Sequence, residues 1–522
     1  MSKYILPFLL LVLSCTAVAQ ENVILIIADD LGTDYCGFYE NHLDTVKMPN
    51  IRRLLERGVR FTNAWSNPLC SPTRAGILTG RYSFRTGVGN AVGGTTSAVL
   101  DTAEITIPRL LTTYSGSTIA KGHIGKWHLQ LPSPKSNYVF PNVMGYDHYE
   151  GNFQGVLNSY TNWTKVTDGV ESKITTYATT ETVNNAVTWV KSVKNKPFFM
   201  WLAFNAPHIP FHLPPANLHS YSQLSGSDSD IAANPKPYFK ATVEALDKEI
   251  GRLFDTLQTL NKWENTTIIF IGDNGNDANV SQVKGGAKGS VYQEGINVPF
   301  IISGPSVVAP NRVSSALVNT HDLFATILEL FGYTTWQKAI PVNKPVDSKS
   351  IVPILKNQST EIRDWVFSEV FKVPTVASDG KTMRNKEYKL IDLDNGTQKF
   401  YNLQVDPGED NDLLKGKLSS TEQINYNYLC SQMSVLVGTG SFCDINTTVD
   451  EPTLQSFNIS PNPVADVLHI LHGTPNSTYN IYSVLGECVR TTTETSVDMR
   501  SLPPGIYTVV ALPSYNTMVF CK

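Results

Sequence analysis

The segment NVILIIADD, residues 22–30, is an apolar run that ends in two adjacent carboxylates. An uninterrupted run of this kind is typical of a strand buried on both faces of a parallel sheet. Three further runs have the same form, at residues 117–120, 198–204 and 266–271. Amphipathic stretches typical of helices lie between the runs, at residues 48–57, 181–193 and 238–260. This alternation predicts an α/β fold with a large, mostly parallel sheet flanked by helices.

Polar residues follow each of the four runs, close to where the strand is expected to end. They are Asp29 and Asp30, Lys126 and His128, His208, and Asp273 and Asn274. Ligands of open α/β sheets bind outside the carboxyl ends of the strands. If the four strands are parallel neighbours, these side chains converge on one edge of the sheet and form the candidate site.

Four of these residues, Asp29, Asp30, Asp273 and Asn274, offer only oxygen ligands. Oxygen donors suit a hard cation, Ca²⁺ or Mg²⁺, rather than zinc. Acidic residues also cap strands and begin helices without binding a metal, and one acidic pair alone would favour that interpretation. Two pairs, each at the end of a long apolar run, favour a metal site.

A cysteine at the start of a predicted helix forms a second candidate centre. The segment CSPTRAGILTG, residues 70–80, places Pro72 in the first turn of a helix. Backbone N–H groups at a helix N-terminus attract an anion or a thiolate, and Arg74 adds a planar fork for an oxyanion. On composition alone, a buried cysteine beside a surface arginine is the simpler interpretation of Cys70.

The N-terminus has the form of an export signal. Residues 1–19 combine one lysine, a short apolar run and an Ala-Val-Ala site, which indicates a cleaved signal peptide. A membrane anchor is the alternative, but the run is shorter than the roughly 18 apolar residues that a span needs. A lipoprotein with Cys15 as its lipidated residue is a further alternative. Since no later stretch is long and apolar enough to cross a bilayer, we expect an exported, soluble mature protein.

The seven cysteines fit an oxidising compartment. Cys430 with Cys443, and Cys488 with Cys521, are plausible disulfide pairs. The spacings of the cysteines do not match a zinc site.

The overall charge argues against one class of partner. The chain has 42 Lys and Arg residues against 46 Asp and Glu residues, a net charge of −4. A polyanion-binding surface built on bulk charge needs a basic excess. We therefore expect no nucleic acid partner.

Composition and strand pattern divide the chain into parts. Residues 20–364 form the predicted large α/β domain, and residues 365–446 form its small antiparallel C-terminal subdomain. Residues 447–455 are typical of a linker. Residues 456–522 carry short alternating runs, which predict a small β-sandwich.

The segment CSPTR, residues 70–74, followed by LTG at residues 78–80, resembles the signature of type I sulfatases. Other blocks agree in order, namely Asp29-Asp30, GKWHL (125–129), APH (206–208), DNG (273–275) and Lys288-Gly289. The resemblance covers residues 22–414 and implies an alkaline phosphatase-like fold. Gln130 and Asn297 stand where the family usually has Gly and Arg, a departure that bears on substrate contacts and not on the chemistry.

The resemblance implies a modified residue and a metal. Cys70 would be converted after synthesis to Cα-formylglycine by a formylglycine-generating or sulfatase-maturating enzyme. One Ca²⁺ per chain would be held by Asp29, Asp30, Asp273, Asn274 and the modified Cys70. The metal would hold sulfate oxygens as a Lewis acid, while Arg74 and Lys126 would steady the nucleophile and neutralise charge.

The resemblance also assigns the proton transfers. A hydroxyl of the hydrated aldehyde at position 70 would attack sulfur, with Asp273 as its activator. His208 and Lys288 would face the leaving oxygen, where either could donate the proton. His128 would then take the remaining hydroxyl proton, so that the covalent sulfo-enzyme releases sulfate and the aldehyde returns.

The tail resembles the C-terminal sorting domain of the type IX secretion system of Bacteroidetes. The matching segments are SPNPV (460–464), LHI (468–470), VLG (484–486) and LPPGIY (502–507). The resemblance implies export through the periplasm to the cell surface or the exterior, with the type IX machinery as a partner. The alternative is an accessory carbohydrate-binding β-sandwich, but no aromatic platform of the kind that stacks on sugars is evident in the tail.

Together these observations predict a secreted sulfatase, a sulfuric ester hydrolase, that acts on a sulfated polysaccharide or its oligosaccharides. Algal galactans, ulvan and glycosaminoglycans are equal candidates. The alternatives are an arylsulfatase acting on small esters and a phosphatase or phosphodiesterase of the same superfamily. A non-catalytic carbohydrate-binding protein on this scaffold belongs to a different class and is disfavoured, because every expected polar role is filled.

Overall fold

The computed structural model describes residues 21–39, 42–93, 98–283, 287–438, 458–471, 477–483, 488–512 and 517–522. The chain forms two compact units, residues 1–443 and 444–522. The predicted signal peptide with Cys15, the predicted linker and Cys443 lie outside the described residues.

The first unit alternates strands and helices. Its strands are β1 (Asn22–Ala28), β2 (Gly58–Trp65), β3 (Ala120–Gly125), β4 (His148–Gly151), β5 (Trp163–Thr167), β6 (Val170–Ile174), β7 (Phe198–Ala203), β8 (Thr266–Gly272), β9 (Phe300–Ser303), β10 (Arg312–Asn319), β11 (Val366–Val370), β12 (Gly380–Arg384), β13 (Tyr388–Leu393) and β14 (Gln398–Asn402). Its helices are α1 (Pro49–Glu56), α2 (Cys70–Thr79), α3 (Ser83–Thr86), α4 (Ile107–Ser115), α5 (Phe140–Val143), α6 (Ala178–Ser192), α7 (Asp228–Ala233), α8 (Pro235–Thr259), α9 (Gln293–Ile296), α10 (Leu323–Leu330), α11 (Val352–Leu355) and α12 (Ser420–Val437). The three predicted helices correspond to α1, α6 and α8.

Strands β1 to β10 form one sheet in the order β10-β2-β9-β8-β1-β7-β3-β4-β5-β6. The five neighbouring strands β8, β1, β7, β3 and β4 run parallel. Antiparallel pairs join β9 to β8 and β2, and β5 to β4 and β6. The predicted α/β fold with a large, mostly parallel sheet is confirmed.

Both faces of the central strand are buried, as its apolar run predicts. Val23, Leu25 and Ile27 pack on one face with residues of α2, α4 and α10. Ile24 and Ile26 pack on the other face with residues of α1, α6 and α8. The residues that follow β1 therefore begin in the middle of the sheet edge.

One strand differs from its prediction. The sequence predicts a strand at residues 117–120, whereas β3 spans Ala120–Gly125. The apolar pattern does not extend over this strand, because two polar residues, Lys121 and His123, are buried within it. Lys121 donates to the Ile119 carbonyl oxygen at 3.2 Å, and the His123 ring lies 5.1 Å from that of Trp127. Since β3 ends at Gly125, Lys126 and His128 still follow the strand directly.

Strands β11 to β14 form a separate antiparallel sheet in chain order. Helix α12 packs on it through Leu429 and Met433, which share a core with Leu390 of β13. This confirms the predicted antiparallel sheet at the C-terminal end of the first unit. Cys430 on α12 is disulfide-bonded. Its pairing with Cys443 stays a prediction, because that residue lies outside the described residues.

The second unit contains two antiparallel sheets. Its strands are β15 (Asn458–Ser460), β16 (Val467–Leu471), β17 (Thr478–Ser483), β18 (Cys488–Thr492), β19 (Ser496–Asp498), β20 (Ile506–Leu512) and β21 (Thr517–Cys521). The sheets have the orders β15-β16-β19 and β18-β17-β20-β21. Leu468 of one sheet and Ile481 of the other belong to the same buried core, which is the packing of the predicted β-sandwich.

The predicted Cys488–Cys521 disulfide is wrong. Both cysteines are free and exposed. They lie in β18 and β21, the two edge strands of the four-stranded sheet, with β17 and β20 between them. Three strand spacings of about 4.8 Å separate the edges by roughly 14 Å, which is well beyond the reach of a disulfide.

Candidate active site

The register of the parallel strands brings the predicted polar residues to one level of the sheet edge. Ala28 of β1 pairs with Gly272 of β8, so Asp29 and Asp273 leave the sheet side by side. The Asp30 backbone N–H donates to Asp273 Oδ1 at 3.0 Å. On the other side, β7 pairs with β1 and β3 pairs with β7, so His208 and Lys126 follow at the same edge. All four strands therefore meet as the sequence predicts.

The oxygen donors form one buried cluster. Asn274 Nδ2 donates to Asp30 Oδ1 at 2.8 Å. Ligating atoms of Asp29, Asp273 and Cys70 lie within 4.8 Å of one another. Among the described residues, Asp29 Oδ1 and Asn274 Oδ1 are buried without a hydrogen-bond partner. Buried oxygens are rarely left unpaired, so this cluster fits a hard cation.

Three cations balance the three carboxylates. Arg74 donates to Asp273 Oδ2 from Nη2 at 2.7 Å, and Lys126 Nζ lies 2.5 Å from Asp29 Oδ2. Lys288 Nζ lies 2.7 Å from Asp30 Oδ1. Arg74 Nη2 also lies 3.7 Å from Asp29 Oδ1, so each predicted cationic residue contacts at least one predicted metal ligand. The formal charges of the six groups cancel when all three carboxylates are ionised.

The carboxylates respond differently to this environment. Burial acts to raise the pKa of Asp29, but the charge of Lys126 and other cationic neighbours outweighs it and holds that pKa well below its usual range. Burial, together with the charge of Asp29, raises the pKa of Asp273 to about 7. The two carboxylates thus oppose each other's ionisation, which is a further reason for a cation between them.

Cys70 is the first residue of α2 and is buried beside this cluster. Its Sγ atom lies 3.2 Å from His128 Nδ1. Burial raises the pKa of the Cys70 thiol above its usual value, although the Lys126 charge opposes the effect. A buried thiol of this kind is a poor nucleophile, because the thiolate is the reactive form. The helix N-terminus alone therefore does not make Cys70 a reactive thiolate.

His128 is held at both ring nitrogens. Nδ1 faces Cys70, and Nε2 lies 2.8 Å from the Val92 carbonyl oxygen. Burial, together with the nearby Lys126 charge, holds the pKa of His128 well below its usual range. The ring is therefore neutral at physiological pH and is suited to accept a proton.

His208 and Lys288 lie on the other side of the cluster, next to Asp30. His208 Nε2 is 3.5 Å from Asp30 Oδ2, and His208 also falls within ligating distance of Asp29 and Asp30. Burial lowers the pKa of His208, whereas the charge of Asp30 outweighs burial and raises the pKa of Lys288. The Lys288 side chain keeps 17% exposure while that of Asp30 keeps 1%, so Lys288 reaches toward the outside of the site.

Three further histidines of the first unit, His123, His212 and His321, do not join the cluster in the described part of the chain. His123 instead bonds to the Lys126 carbonyl oxygen through Nε2 at 3.1 Å. His212 stacks on Tyr160 with ring centroids 3.9 Å apart, and His321 packs edge-on against Tyr82. These contacts are structural.

Sequence reasoning missed residues that support the site. The Tyr160 hydroxyl lies 2.6 Å from the Asn205 carbonyl oxygen and 2.8 Å from that of His208, so it holds the turn after β7. Asn276 Oδ1 accepts from the Gly32 N–H at 2.9 Å, and its carbonyl oxygen accepts from the Lys288 N–H at 3.0 Å. Only the position of Asn276, two residues after Asn274, hints at such a role. Tyr160 has no local signal in sequence.

This fold and this cluster define a class of enzyme. The sulfatase family model matches residues 21–333, more than half of the chain. The chain belongs to the sulfatase family, and it is a sulfuric ester hydrolase. A second model, described as N-sulphoglucosamine sulphohydrolase, C-terminal, matches residues 287–433.

Individual relatives agree with this assignment. The N-acetylgalactosamine-6-O-sulfatase of Bacteroides thetaiotaomicron is 25% identical over 79% of this chain and 94% of its own length. A sulfatase of Formosa agariphila is 26% identical over 76% of this chain and 84% of its own. The solved structure of Ps i-CgsB in complex with k-i-k-neocarrahexaose superposes with a TM-score of 0.65, at 25% identity over 80% of this chain and 93% of that chain.

The tail has its own match. The model of a secretion system C-terminal sorting domain covers residues 458–519. This confirms the predicted type IX sorting domain and export to the cell surface or the exterior. Within the described residues, none of the helices combines the length and apolar character that a membrane span requires.

Proposed function

We propose that this sulfatase hydrolyses sulfate esters of a sulfated carbohydrate outside the cell, with an oxidised residue 70 as its nucleophile. The observation that carries the proposal is the position of Cys70. It lies at the start of α2, and its Sγ atom is 3.2 Å from Nδ1 of the neutral His128. The same atom lies within 4.8 Å of carboxylate oxygens of Asp29 and Asp273. A reacting group at this point has a base on one side and a charged cluster on the other.

The first part of the proposal is that Cys70 is converted to Cα-formylglycine by a separate maturating enzyme, which supplies the oxidation. The buried thiol with its raised pKa supports this, because it is unsuited to act as a thiolate. The hydrated aldehyde offers two hydroxyls in place of one sulfur. The Sγ atom then marks the region that one of those hydroxyl oxygens would occupy.

The second part is a single Ca²⁺ held by oxygen ligands. The ligands would be Asp29, Asp30, Asp273, Asn274 and the modified residue 70. The Oδ1 atoms of Asp29 and Asn274, which are buried and accept no hydrogen bond, support the proposal, since a hard cation satisfies such oxygens. When bound, the cation supplies Lewis-acid stabilisation of the charge on sulfate oxygens.

In the first half of the reaction, one hydroxyl of residue 70 attacks sulfur with Asp273 as its activator. The bond between sulfur and the leaving oxygen breaks, and that oxygen takes its proton from His208 or Lys288. Arg74 holds Asp273 through two hydrogen bonds, of 2.7 and 3.2 Å, and Lys126 neutralises charge near the nucleophile. Groups of this type contribute about 2.7–4 kcal/mol of barrier lowering in comparable sites.

In the second half, His128 Nδ1 takes the proton of the remaining hydroxyl. The electrons of that O–H bond form the carbonyl, the bond from carbon to the sulfate oxygen breaks, and sulfate leaves with its electron pair. Water then rehydrates the aldehyde. Because Nδ1 already faces position 70 at 3.2 Å, the base needs no rearrangement.

A carbohydrate substrate is supported by the relatives and by the tail. One relative is an N-acetylgalactosamine-6-O-sulfatase, and Ps i-CgsB was solved with a neocarrahexaose. Export by a sorting domain suits a polymer that does not enter the cell. We further propose that residues 20–364 and 365–446 together form the catalytic part, with a linker at 447–455 and the sorting domain at 456–522.

Sulfate release from a panel of defined sulfated oligosaccharides tests the proposal, with peptide mass spectrometry first establishing conversion of Cys70. The panel should contain galactans, ulvan fragments and glycosaminoglycan fragments, together with an aryl sulfate and an aryl phosphate. We expect turnover of at least one oligosaccharide to exceed that of the aryl sulfate. Turnover of the aryl sulfate alone would favour an arylsulfatase, and preference for the phosphate would favour the phosphatase alternative.

A further inference from the structure

We propose that Ser71 and Gly155 are positioning residues that fix the tautomer and the orientation of His128, so that Nδ1 faces residue 70 as a base. The inference rests on the proposed function and deepens it. It comes from contacts of the His128 ring and backbone that join three distant segments of the chain.

The partners of the two ring nitrogens define the tautomer. Nε2 lies 2.8 Å from the Val92 carbonyl oxygen, and a carbonyl oxygen can only accept a hydrogen bond. Nε2 therefore carries the proton, and Nδ1 presents a lone pair. That lone pair faces Sγ of Cys70 at 3.2 Å, so the base is aimed at the residue that must lose a proton.

The Ser71 hydroxyl closes a frame around this contact. It donates to the His128 carbonyl oxygen at 2.7 Å and accepts from the Val92 N–H at 2.9 Å. One buried hydroxyl thus holds the backbone of His128 and the backbone of Val92, whose carbonyl oxygen accepts the hydrogen bond from Nε2. His128 also has a left-handed φ of 57°, which is unfavourable for a residue with a side chain and needs support from its surroundings.

Gly155 supports the ring from another segment. A Cβ atom at position 155 would lie 2.3 Å from Nε2 and 2.4 Å from Cε1 of His128. The ring therefore lies directly against the backbone of residue 155. Any side chain at that position must displace the ring and strain its bond to the Val92 carbonyl oxygen.

A loosened ring should affect one half of the reaction more than the other. His128 acts in the release of sulfate, whereas the attack on sulfur depends on Asp273 and on the groups beside Asp30. Misplacing His128 should therefore slow breakdown of the sulfated enzyme and leave its formation largely intact. Enzyme with sulfate on residue 70 should accumulate during turnover.

Ser71→Ala in the full-length, Cys70-converted enzyme tests this with an aryl sulfate as the probe. We expect the steady-state rate to fall by about ten- to a hundredfold, a part of the roughly 10²–10⁴-fold that a positioned base contributes. Mass spectrometry of enzyme quenched during turnover should find sulfate on the residue-70 peptide in a much larger fraction of molecules than in the wild type. Ser71→Thr, which keeps the hydroxyl, should bring that fraction back toward the wild-type value.

Thr73→Val is the matched control. Thr73 is also fully buried on α2, and its hydroxyl also bonds twice to backbone, to the N–H and the carbonyl oxygen of Asn67 at 3.0 and 3.2 Å. It does not bond to His128 in the described structure. The control should lose stability without accumulating sulfated enzyme.

Two outcomes decide the proposal. A converted Ser71→Ala enzyme with the wild-type fraction of sulfated residue 70 would overturn it. If that variant fails to fold or to be converted, Gly155→Ala tests the same frame from outside the CSPTR segment and should show the same accumulation. A converted wild type without activity on any sulfate ester would instead refute the proposed function.

Discussion

Replacing Arg74 with methionine should destabilise the first unit far more in metal-free protein than in protein loaded with Ca²⁺. Arg74 is fully buried and donates twice to Asp273. Without it, the Asp273 carboxylate loses its nearest compensating charge while Asp29 still lies beside it. Removing one partner of a buried ion pair costs about 3–5 kcal/mol.

A bound cation should reduce that cost. If Asp273 is a ligand, the carboxylate keeps a positive partner. The remaining loss is then mainly the hydrogen bond from Arg74 to the Lys126 carbonyl oxygen at 3.0 Å, which is worth about 1–2 kcal/mol. With an unfolding entropy of about 2.1 cal/mol/K per residue, a unit of 443 residues loses about 1 °C of Tm per kcal/mol. The expected shifts are therefore about 3–5 °C with a chelator and about 1–2 °C with Ca²⁺.

Differential scanning calorimetry of wild type and Arg74→Met, each in excess chelator and in excess Ca²⁺, measures both shifts. Arg81→Met is the control, because Arg81 pairs with Glu104 at 2.7 Å and neither residue belongs to the cluster. Its shift should be the same in both conditions. Equal shifts for Arg74→Met with and without Ca²⁺ would refute the assignment of Asp273 as a metal ligand.

Further outcomes are expected. Cys70→Ser and Cys70→Ala should abolish normal turnover, and peptide mass spectrometry should find formylglycine in active wild type; unmodified thiol in fully active enzyme would contradict this. Asp273→Ala should weaken Ca²⁺ binding and lower activity on an aryl sulfate much more than Asn297→Ala does. Wild-type enzyme inactivated by a chelator should regain more activity with Ca²⁺ than with Zn²⁺. Two zinc ions in active enzyme, by elemental analysis, would instead favour the phosphatase-like alternative. Tyr160→Phe should reduce the free energy of unfolding by about 1–3 kcal/mol. It should also slow turnover of sugar sulfates more than of aryl sulfates, because His208 is one of the two proposed proton donors and a sugar oxygen is the poorer leaving group. A chain that ends at residue 443 should keep sulfatase activity, and a folded but inactive truncation would favour a substrate-binding tail.

The sheet and its reactive edge were predictable because both depend on local patterns. A buried parallel strand has to be apolar along its whole length, so β1, β7 and β8 are visible as runs. The residues after such strands are then constrained to the carboxyl edge. That rule brings Asp29, Asp273 and His208 together before any side-chain geometry is known.

A buried strand that contains polar residues cannot be located from a continuous apolar run. β3 carries Lys121 and His123 within the core, so its apolar run stops five residues before the strand does. The partners that make this burial tolerable, the Ile119 carbonyl oxygen and Asp147 for Lys121, are not identifiable as partners from composition. Lys126 and His128 therefore follow the strand at the sheet edge, as predicted, although the predicted bounds of the strand are wrong.

Contacts that depend on sheet order or on distant loops could not be predicted. The disulfide between Cys488 and Cys521 was predicted from the number of cysteines. The order of the strands, which keeps the two residues apart, is not visible in the sequence. The bonds of Tyr160 span 45 and 48 residues, and the bond from His128 to Val92 spans 36. No periodicity or spacing rule relates residues at such separations, so the supporting frame of the site emerges only from the fold.

The distribution of burial across the site separates chemistry from recognition. Cys70, Arg74 and Lys126 lie at or near zero exposure, so a substrate reaches them only with its sulfate group. Lys288 retains 17% side-chain exposure and lies beside Asp30, on the side where the leaving oxygen is expected. His208 beside it is itself buried, at 6% exposure, so we propose that the sugar lies toward Lys288, outside the buried cluster. Substitutions around these two residues should change which glycan is used, whereas substitutions around Cys70 should change whether any sulfate ester is hydrolysed.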